Sequence, residues 1–264
     1  MTKRKKLGLA LGGGGARGLA HIGVIKVLLE EKIPIDLIAG TSMGAMVGGL
    51  YAALGDIEKV EKIAVDFTVK DWVSTFVDRV GGMGLIKGER AENKIRAMVG
   101  DVAIEKLSIP FGAVATDINT AEKVVIDRGD LAKGIRASCS VPLLFEPVVM
   151  EGRTLVDGGT SCPVPVEIVK EMGADVIVAV NLDSVYFLPE NQRKTKISTL
   201  DVMRNTLFLL KYHLAEKEIR EADVVINPAI PYVGDLDFVN KKSLITGGEF
   251  AARKAIELIR PLLV

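Results

Sequence analysis

At 264 residues the chain is long enough to bury a sizeable core, as one large α/β domain or two small ones. Its 34 Lys and Arg balance 34 Asp and Glu, so bulk electrostatic attraction to nucleic acid or anionic lipid has no support. Two cysteines (Cys139, Cys162) and two histidines (His21, His213) make no disulfide framework and no multi-histidine metal site. The expectation is a reduced, intracellular protein whose two thiols are small buried residues.

Lys3-Arg4-Lys5-Lys6 reads as a solvated tail ahead of the first strand, with a weak membrane-surface contact as the alternative. The apolar run after it stops at Leu11 in glycines, unlike a signal peptide. No apolar stretch approaches the ~18–20 residues of a membrane-spanning helix. The sequence therefore predicts a cytoplasmic protein that touches a membrane, if at all, as a peripheral contact.

Residues 6–55 then repeat one pattern. Leu7–Leu11 predicts a strand, the glycines of 12–18 a turn, and Leu19–Glu31 a helix. Ile35–Ala39 predicts a second strand, Gly40-Thr41-Ser42-Met43-Gly44 a second turn, and Ala45–Leu54 a second helix. Such alternation means parallel strands with crossover helices. Asp56 suits the N-cap of a helix over Ile57–Phe67. Asp66–Val80 is the most aromatic stretch, readable as a helix on the core or as a cap over an apolar substrate. Gly81–Gly84 is a break before a polar-faced helix over Gly88–Val99.

Pro110–Thr116 predicts a buried strand with Lys123–Ile126 as hairpin partner, and Leu131–Ala137 a short helix. Val148–Met150 and Arg153–Val156 predict strands around Glu151-Gly152, and Asp157-Gly158-Gly159 follows at once. Pro163 suits the first turn of a helix to Met172, with Gly173 as its C-terminal cap. Asp175–Leu182 is a buried strand, Ser184–Ser198 a surface loop, and Leu200–Arg220 an amphipathic helix. Val224–Asn227 and Ser243–Leu263 add a strand and a closing helix, within one domain over 1–264.

Gly40, Ser42 and Gly44 form Gly-x-Ser-x-Gly between strand and helix. Such a turn strains the serine backbone, the glycines relieve clashes beside it, and the hydroxyl is left at a helix N-terminus. A glycine-rich turn with a serine N-cap is the blander reading. Gly13, Gly15 and Gly18 match the dinucleotide fingerprint, which wants an acid at the C-terminal end of the next strand. Asp36 lies at the strand's start, so ribose has no ligand. No Lys followed by Ser or Thr completes a P-loop either. What remains for the amides of the first turn is anion stabilisation. A serine nucleophile needs a base. Asp157 and His213 are the candidates, the latter because Ser42, Asp157, His213 follows the α/β-hydrolase order. His213 sits within a helix pattern, and His21 is expected to pack against the glycine loop.

The chain resembles the bacterial patatin-like phospholipase family. The matching blocks are collinear over about 7–182: Leu9 to Val24, Gly40 to Gly44, Gly84 to Gly88, Ala115 to Asp117, Arg136 to Pro142, Leu155 to Gly159 and Pro163 to Pro165. The resemblance implies a three-layer α/β/α sandwich around a mainly parallel sheet. It implies a Ser42–Asp157 dyad, an oxyanion loop at Gly13, Gly14 and Gly15, and supporting roles for Arg17, Gly18, Gly40, Gly44, Gly158 and Gly159. His213 becomes a bystander. The implied reaction is hydrolysis of lipid or other acyl esters, with no cofactor, metal or nucleic-acid partner. A non-catalytic lipid-binding or regulatory protein on the same fold is the alternative, and a dinucleotide oxidoreductase a more distant one. Head group, chain length and oligomeric state are not written in these motifs.

Overall fold

The computed structural model describes residues 4–67, 86–185, 197–230 and 240–264. Most of the aromatic stretch expected over Asp66–Val80, the Gly81–Gly84 break and most of the Ser184–Ser198 loop lie outside them.

The strands are apolar on both faces, as a doubly covered sheet requires. In β1 (Leu7–Leu11) the odd residues Leu7, Leu9 and Leu11 enter one core with Ile38, Ala113, Ala115, Val176, Val178 and Val180. Ala10 enters the other with Leu37, Ala39, Val114, Ile177 and Ala179. The first core is covered by α1 (Ala20–Glu30), α2 (Met43–Leu54), α3 (Ile57–Asp66), α4 (Glu89–Val99), α5 (Leu131–Ser138) and α8 (Lys241–Ile259). The second is covered by α6 (Val166–Glu171) and α7 (Thr199–Glu218). The three-layer α/β/α fold expected from the sequence is thereby present.

Among the described residues the sheet runs β5 (Val148–Met150), β6 (Arg153–Asp157), β3 (Phe111–Asp117), β2 (Leu37–Thr41), β1, β7 (Val176–Val180), β8 (Val224–Ile226), with β4 (Lys123–Ile126) also on β3. From β3 to β8 every pairing is parallel, and β4, β5 and β6 attach antiparallel at one side.

The pairing of β3 positions the site. β2 and β4 both pair with Ala113 and Val114, so they occupy opposite edges of β3. β4 and β6 both pair with Ala115 and Thr116, so they too are on opposite edges. β2 and β6 therefore share one edge and meet end to end. Their last residues, Thr41 and Asp157, face the consecutive residues Val114 and Ala115.

Two expected bounds are corrected. β2 ends at Thr41 rather than Ala39, because Gly40 and Thr41 continue the ladder against Ala113 and Val114. The second turn is thus reduced to Ser42. The helix expected from Pro163 begins at Val166 with Pro165 as N-cap, and the Pro163 carbonyl instead accepts from the Gly13 N–H. Other expectations hold. Asp56 caps α3 by accepting from Glu58 N and Lys59 N, and Gly173 takes φ +94° after α6. α1 and α8 pack backbone to backbone: a Cβ on Gly23 would stand 2.0 Å from Ile245 O, and one on Gly248 2.0 Å from Ala20 O.

Candidate active site

Ser42 follows the last pair of β2 directly and precedes the first residue of α2. A backbone that turns from strand to helix in one residue must leave the favoured regions, and Ser42 has φ 54° and ψ −119°. Such a conformation costs of order 1–3 kcal/mol and persists only where surroundings hold it. They do so here. Ser42 N–H donates to Ser138 Oγ at 2.9 Å, and Ser138 Oγ donates onward to Val114 O at 2.6 Å. The Cys139 thiol donates to Ser42 O at 3.2 Å. Burial pushes that thiol far up, so it stays protonated and acts as a donor. A Cβ on Gly40 would stand 2.5 Å from Ala45 N, and one on Gly44 2.1 Å from Leu11 O. The elbow closes only with glycine at both places.

The first glycine turn lies beside it, as parallel β1 and β2 dictate. The N–H groups of Gly12 and Gly13 are consumed by Val180 O and Pro163 O, each at 3.0 Å. Gly14 and Gly15 N–H have no backbone acceptor among the described residues. Of the three loop glycines expected to serve an oxyanion, Gly13 thus has its amide engaged. Gly13 lies beside both Lys211 and Ser42: a Cβ there would be in ordinary contact with them, 3.4 Å from Lys211 Nζ and 3.6 Å from Ser42 Cβ. Arg17, buried, binds Gly14 O at 3.2 Å and Leu182 O at 2.9 Å, tying the loop to the end of β7. A Cβ on Gly18 would stand 2.3 Å from Met43 Cβ, so this glycine lets the two turns touch. His21 donates from Nε2 to Gly12 O at 2.7 Å and is neutral, its pKa held down to about 4 by burial. It packs against the loop, as expected.

Asp157 ends β6 and is 4% exposed. Its N–H donates to Ser140 O at 2.9 Å. Oδ1 accepts from Gly159 N–H at 2.8 Å, whereas the buried Oδ2 accepts no hydrogen bond. A Cβ on Gly158 would stand 2.1 Å from Val114 O, so glycine is needed for this turn to press against β3. Burial pushes the carboxyl above the ordinary range. The Lys211 charge opposes this most, followed by the Ser42 hydroxyl and the Gly159 N–H, while Asp183 adds to the rise. The Ser42 hydroxyl thus acts on the carboxyl without closing a hydrogen bond to Oδ2. This is a desolvated acid facing a strained serine, the pairing that proton abstraction by a carboxylate requires.

His213 is exposed on α7, its ring edge-on to Tyr212 at 5.3 Å between centroids. Asp36, at the far end of β2, binds Arg4 and Leu7 N instead of facing the glycine loop. Three contributors were missed in the sequence. Ser138 and Ser140 clamp the two dyad candidates from one short segment, which the Arg136–Pro142 block marked without a role. Lys211 carried no signal at all, being one lysine of an amphipathic helix.

A serine on a one-residue strand-to-helix turn, a glycine loop beside it and a buried carboxyl group thus come together on one α/β sheet. Residues 9–170 match the family model described as patatin-like phospholipase. The chain belongs to the patatin-like phospholipase family, a family of lipid hydrolases. It is 41% identical over 178 residues to an uncharacterized NTE family protein of Mycobacterium bovis, covering 67% of this chain and 49% of that one. It is 36% identical over 184 residues to lysophospholipase nte1 of Emericella nidulans, covering 69% of this chain and 12% of that one. The chain thus spans about half the length of the mycobacterial relative. VipD from Legionella pneumophila shares the fold with a TM-score of 0.63 at 14% identity, covering 97% of this chain and 67% of that one. Among the described residues no helix is long and apolar enough to cross a membrane.

Proposed function

We propose that the chain hydrolyses carboxylic esters of lipids by acyl transfer to Ser42 and then to water, and that residues 1–264 act as one domain. The observation that carries this reading is the end-to-end meeting of β2 and β6, which brings Ser42 up to a buried carboxylate. Asp157 takes the Ser42 proton as Oγ attacks the ester carbonyl. The carbonyl π electrons move onto oxygen, where Gly14 and Gly15 N–H receive the charge. Each such donor is worth roughly 3–4 kcal/mol in the transition state. Collapse of the tetrahedral species expels the alcohol with a proton returned from Asp157. Water then repeats the cycle on the acyl-Ser42 ester. The fungal relative's name supports monoacyl phospholipids as the substrate class, taken up from a membrane surface by peripheral contact.

The test is hydrolysis of lysophosphatidylcholine together with covalent labelling by a fluorophosphonate. Both are expected for the wild type and neither for Ser42→Ala, with Asp157→Asn failing to hydrolyse. Folded wild-type protein that neither turns over nor labels would turn the reading to a lipid-binding protein.

A further inference from the structure

The side chain of Lys211 reaches from α7, on the second face of the sheet, into the gap between the glycine loop and the Asp157 turn. A Cβ on Gly13 would stand 3.4 Å from its Nζ, and one on Gly159 would stand 2.9 Å from Nζ and 2.7 Å from Cε. Glycine at 159 leaves the lysine this room, whereas a Cβ on Gly13 would reach only ordinary contact with it. The same point beside Gly159 is 2.9 Å from Asp157 Oδ1. The ammonium and that oxygen are therefore no further apart than twice this distance. On the other side, the point beside Gly13 is 3.6 Å from Ser42 Cβ. One cation thus flanks both the proposed base and the loop proposed to receive the oxyanion.

We propose that Lys211 is a positioning residue of the dyad, holding Asp157 as a carboxylate before attack and standing beside the negative charge as it moves onto the substrate oxygen. The inference rests on the hydrolase reading above. In the attack step a proton passes from Ser42 to Asp157, and the negative charge passes from the carboxylate to the carbonyl oxygen. A cation beside Asp157 alone would stabilise the starting state and weaken the base. A cation between the start and the end of the transfer favours both. This supplies what a histidine supplies elsewhere, without a second proton carrier. Among the described residues, the groups acting on Asp157 are Lys211 from α7, the Ser42 hydroxyl, the Gly159 N–H and Asp183 after β7, with the Cys139 thiol after α5 in turn feeling its charge. Among them Lys211 is the one cation.

The experiment is the pH profile of kcat/KM for p-nitrophenyl butyrate, with wild type, Lys211→Gln, Lys211→Met and Lys211→Arg. A neutral ester removes any role of the lysine in holding a phosphate. Lys211→Gln and Lys211→Met are expected to lose roughly ten-fold or more at neutral pH, with the acidic limb moved up by about one to two pH units. KM changes little, and Lys211→Arg returns the limb toward its wild-type place. If Lys211→Met fails to fold, Lys211→Gln and the pH dependence of its fluorophosphonate labelling rate read the same shift. An unshifted limb in a folded, active neutral variant overturns the proposal. So does a defect confined to lysophosphatidylcholine, which would make Lys211 a head-group contact. A wild type inactive on both esters and unlabelled at Ser42 overturns the hydrolase reading, and this inference with it.

Discussion

Asp36 and Asp157 stand at opposite ends of the same sheet. Asp36 precedes β2, and both its oxygens are engaged: Arg4 Nη1 and Nη2 donate at 2.8 and 2.7 Å, and Leu7 N–H donates at 2.7 Å. These bonds, Arg4's first, hold its carboxyl below the ordinary range. Asp157 ends β6 with one oxygen bonded to Gly159 N–H and the other accepting no hydrogen bond among the described residues, and burial lifts its carboxyl above that range. Two chemically identical side chains therefore contribute in opposite senses. The satisfied acid is a clamp that fixes the start of the sheet. The buried acid with an open oxygen costs stability and is available to take a proton.

The largest expected effect separates the two acids by activity. Asp157→Asn and Ser42→Ala should each lower ester hydrolysis by about 1,000-fold or more. Asp36→Asn and His213→Ala should stay near wild type in the same assay, and a dead His213→Ala protein with intact fold would break the dyad assignment. Next comes the packing beneath the base. Gly158→Ala drives a Cβ to 2.1 Å from the Val114 carbonyl, a backbone atom that cannot swing aside. It should cost about 3 kcal/mol in denaturant unfolding, together with most of the activity. Ser138→Ala deprives Ser42 N–H and Val114 O of their shared partner. A loss of about 1–3 kcal/mol follows if no water replaces the hydroxyl.

The smallest effects sharpen the comparison most, because their signs differ. At neutral pH Asp36→Asn should destabilise by up to about 1 kcal/mol, as befits a partly exposed ion pair. Asp157→Asn keeps an oxygen for Gly159 N–H while removing a desolvated charge, so it should stabilise by of order 1 kcal/mol. The pH dependences are also opposed. Asp36 is lowered in the folded state, so its contribution is present above the unfolded pKa of ~3.9 and is lost as pH falls through the lower folded value. Asp157 is raised, so its cost is absent below ~3.9 and grows as pH rises toward the folded value. Thermal unfolding of the two Asn variants between acid and neutral pH checks both signs. An Asp157→Asn protein less stable than wild type at neutral pH would contradict the desolvated carboxylate.

Much of this was legible in the sequence where local chemistry and tertiary structure agree. Alternating apolar runs and glycine turns announced parallel strands, and turn chemistry put forward Ser42 with Asp157 and His213 as candidate bases, between which the family resemblance chose Asp157. Agreement failed where partners are distant in sequence. Gly40 and Thr41 have turn-like composition, yet the ladder against Ala113 and Val114 makes them strand. Pro163 has the composition of a helix start, yet its carbonyl serves the Gly13 amide and the helix waits until Val166. That bond also decides which loop amides remain open, something a run of glycines does not encode. Lys211 belongs to a helix whose lysines look alike in sequence. Only the packing of α7 over the Gly158–Thr160 turn selects which of them enters the site.

The bond from Gly12 N–H to Val180 O and the grip of Arg17 on Leu182 O carry a consequence for biosynthesis. The loop is held in shape by residues translated long after it. β1 lacks one of its two neighbours until β7 emerges, and contacts of such span form slowly. The Ser42 elbow too waits for Ser138 and Cys139 to hold it, and Asp157 and the loop anchor are made later still. Competence arrives with the finished sheet, so an interrupted chain displays a serine with nothing to activate it.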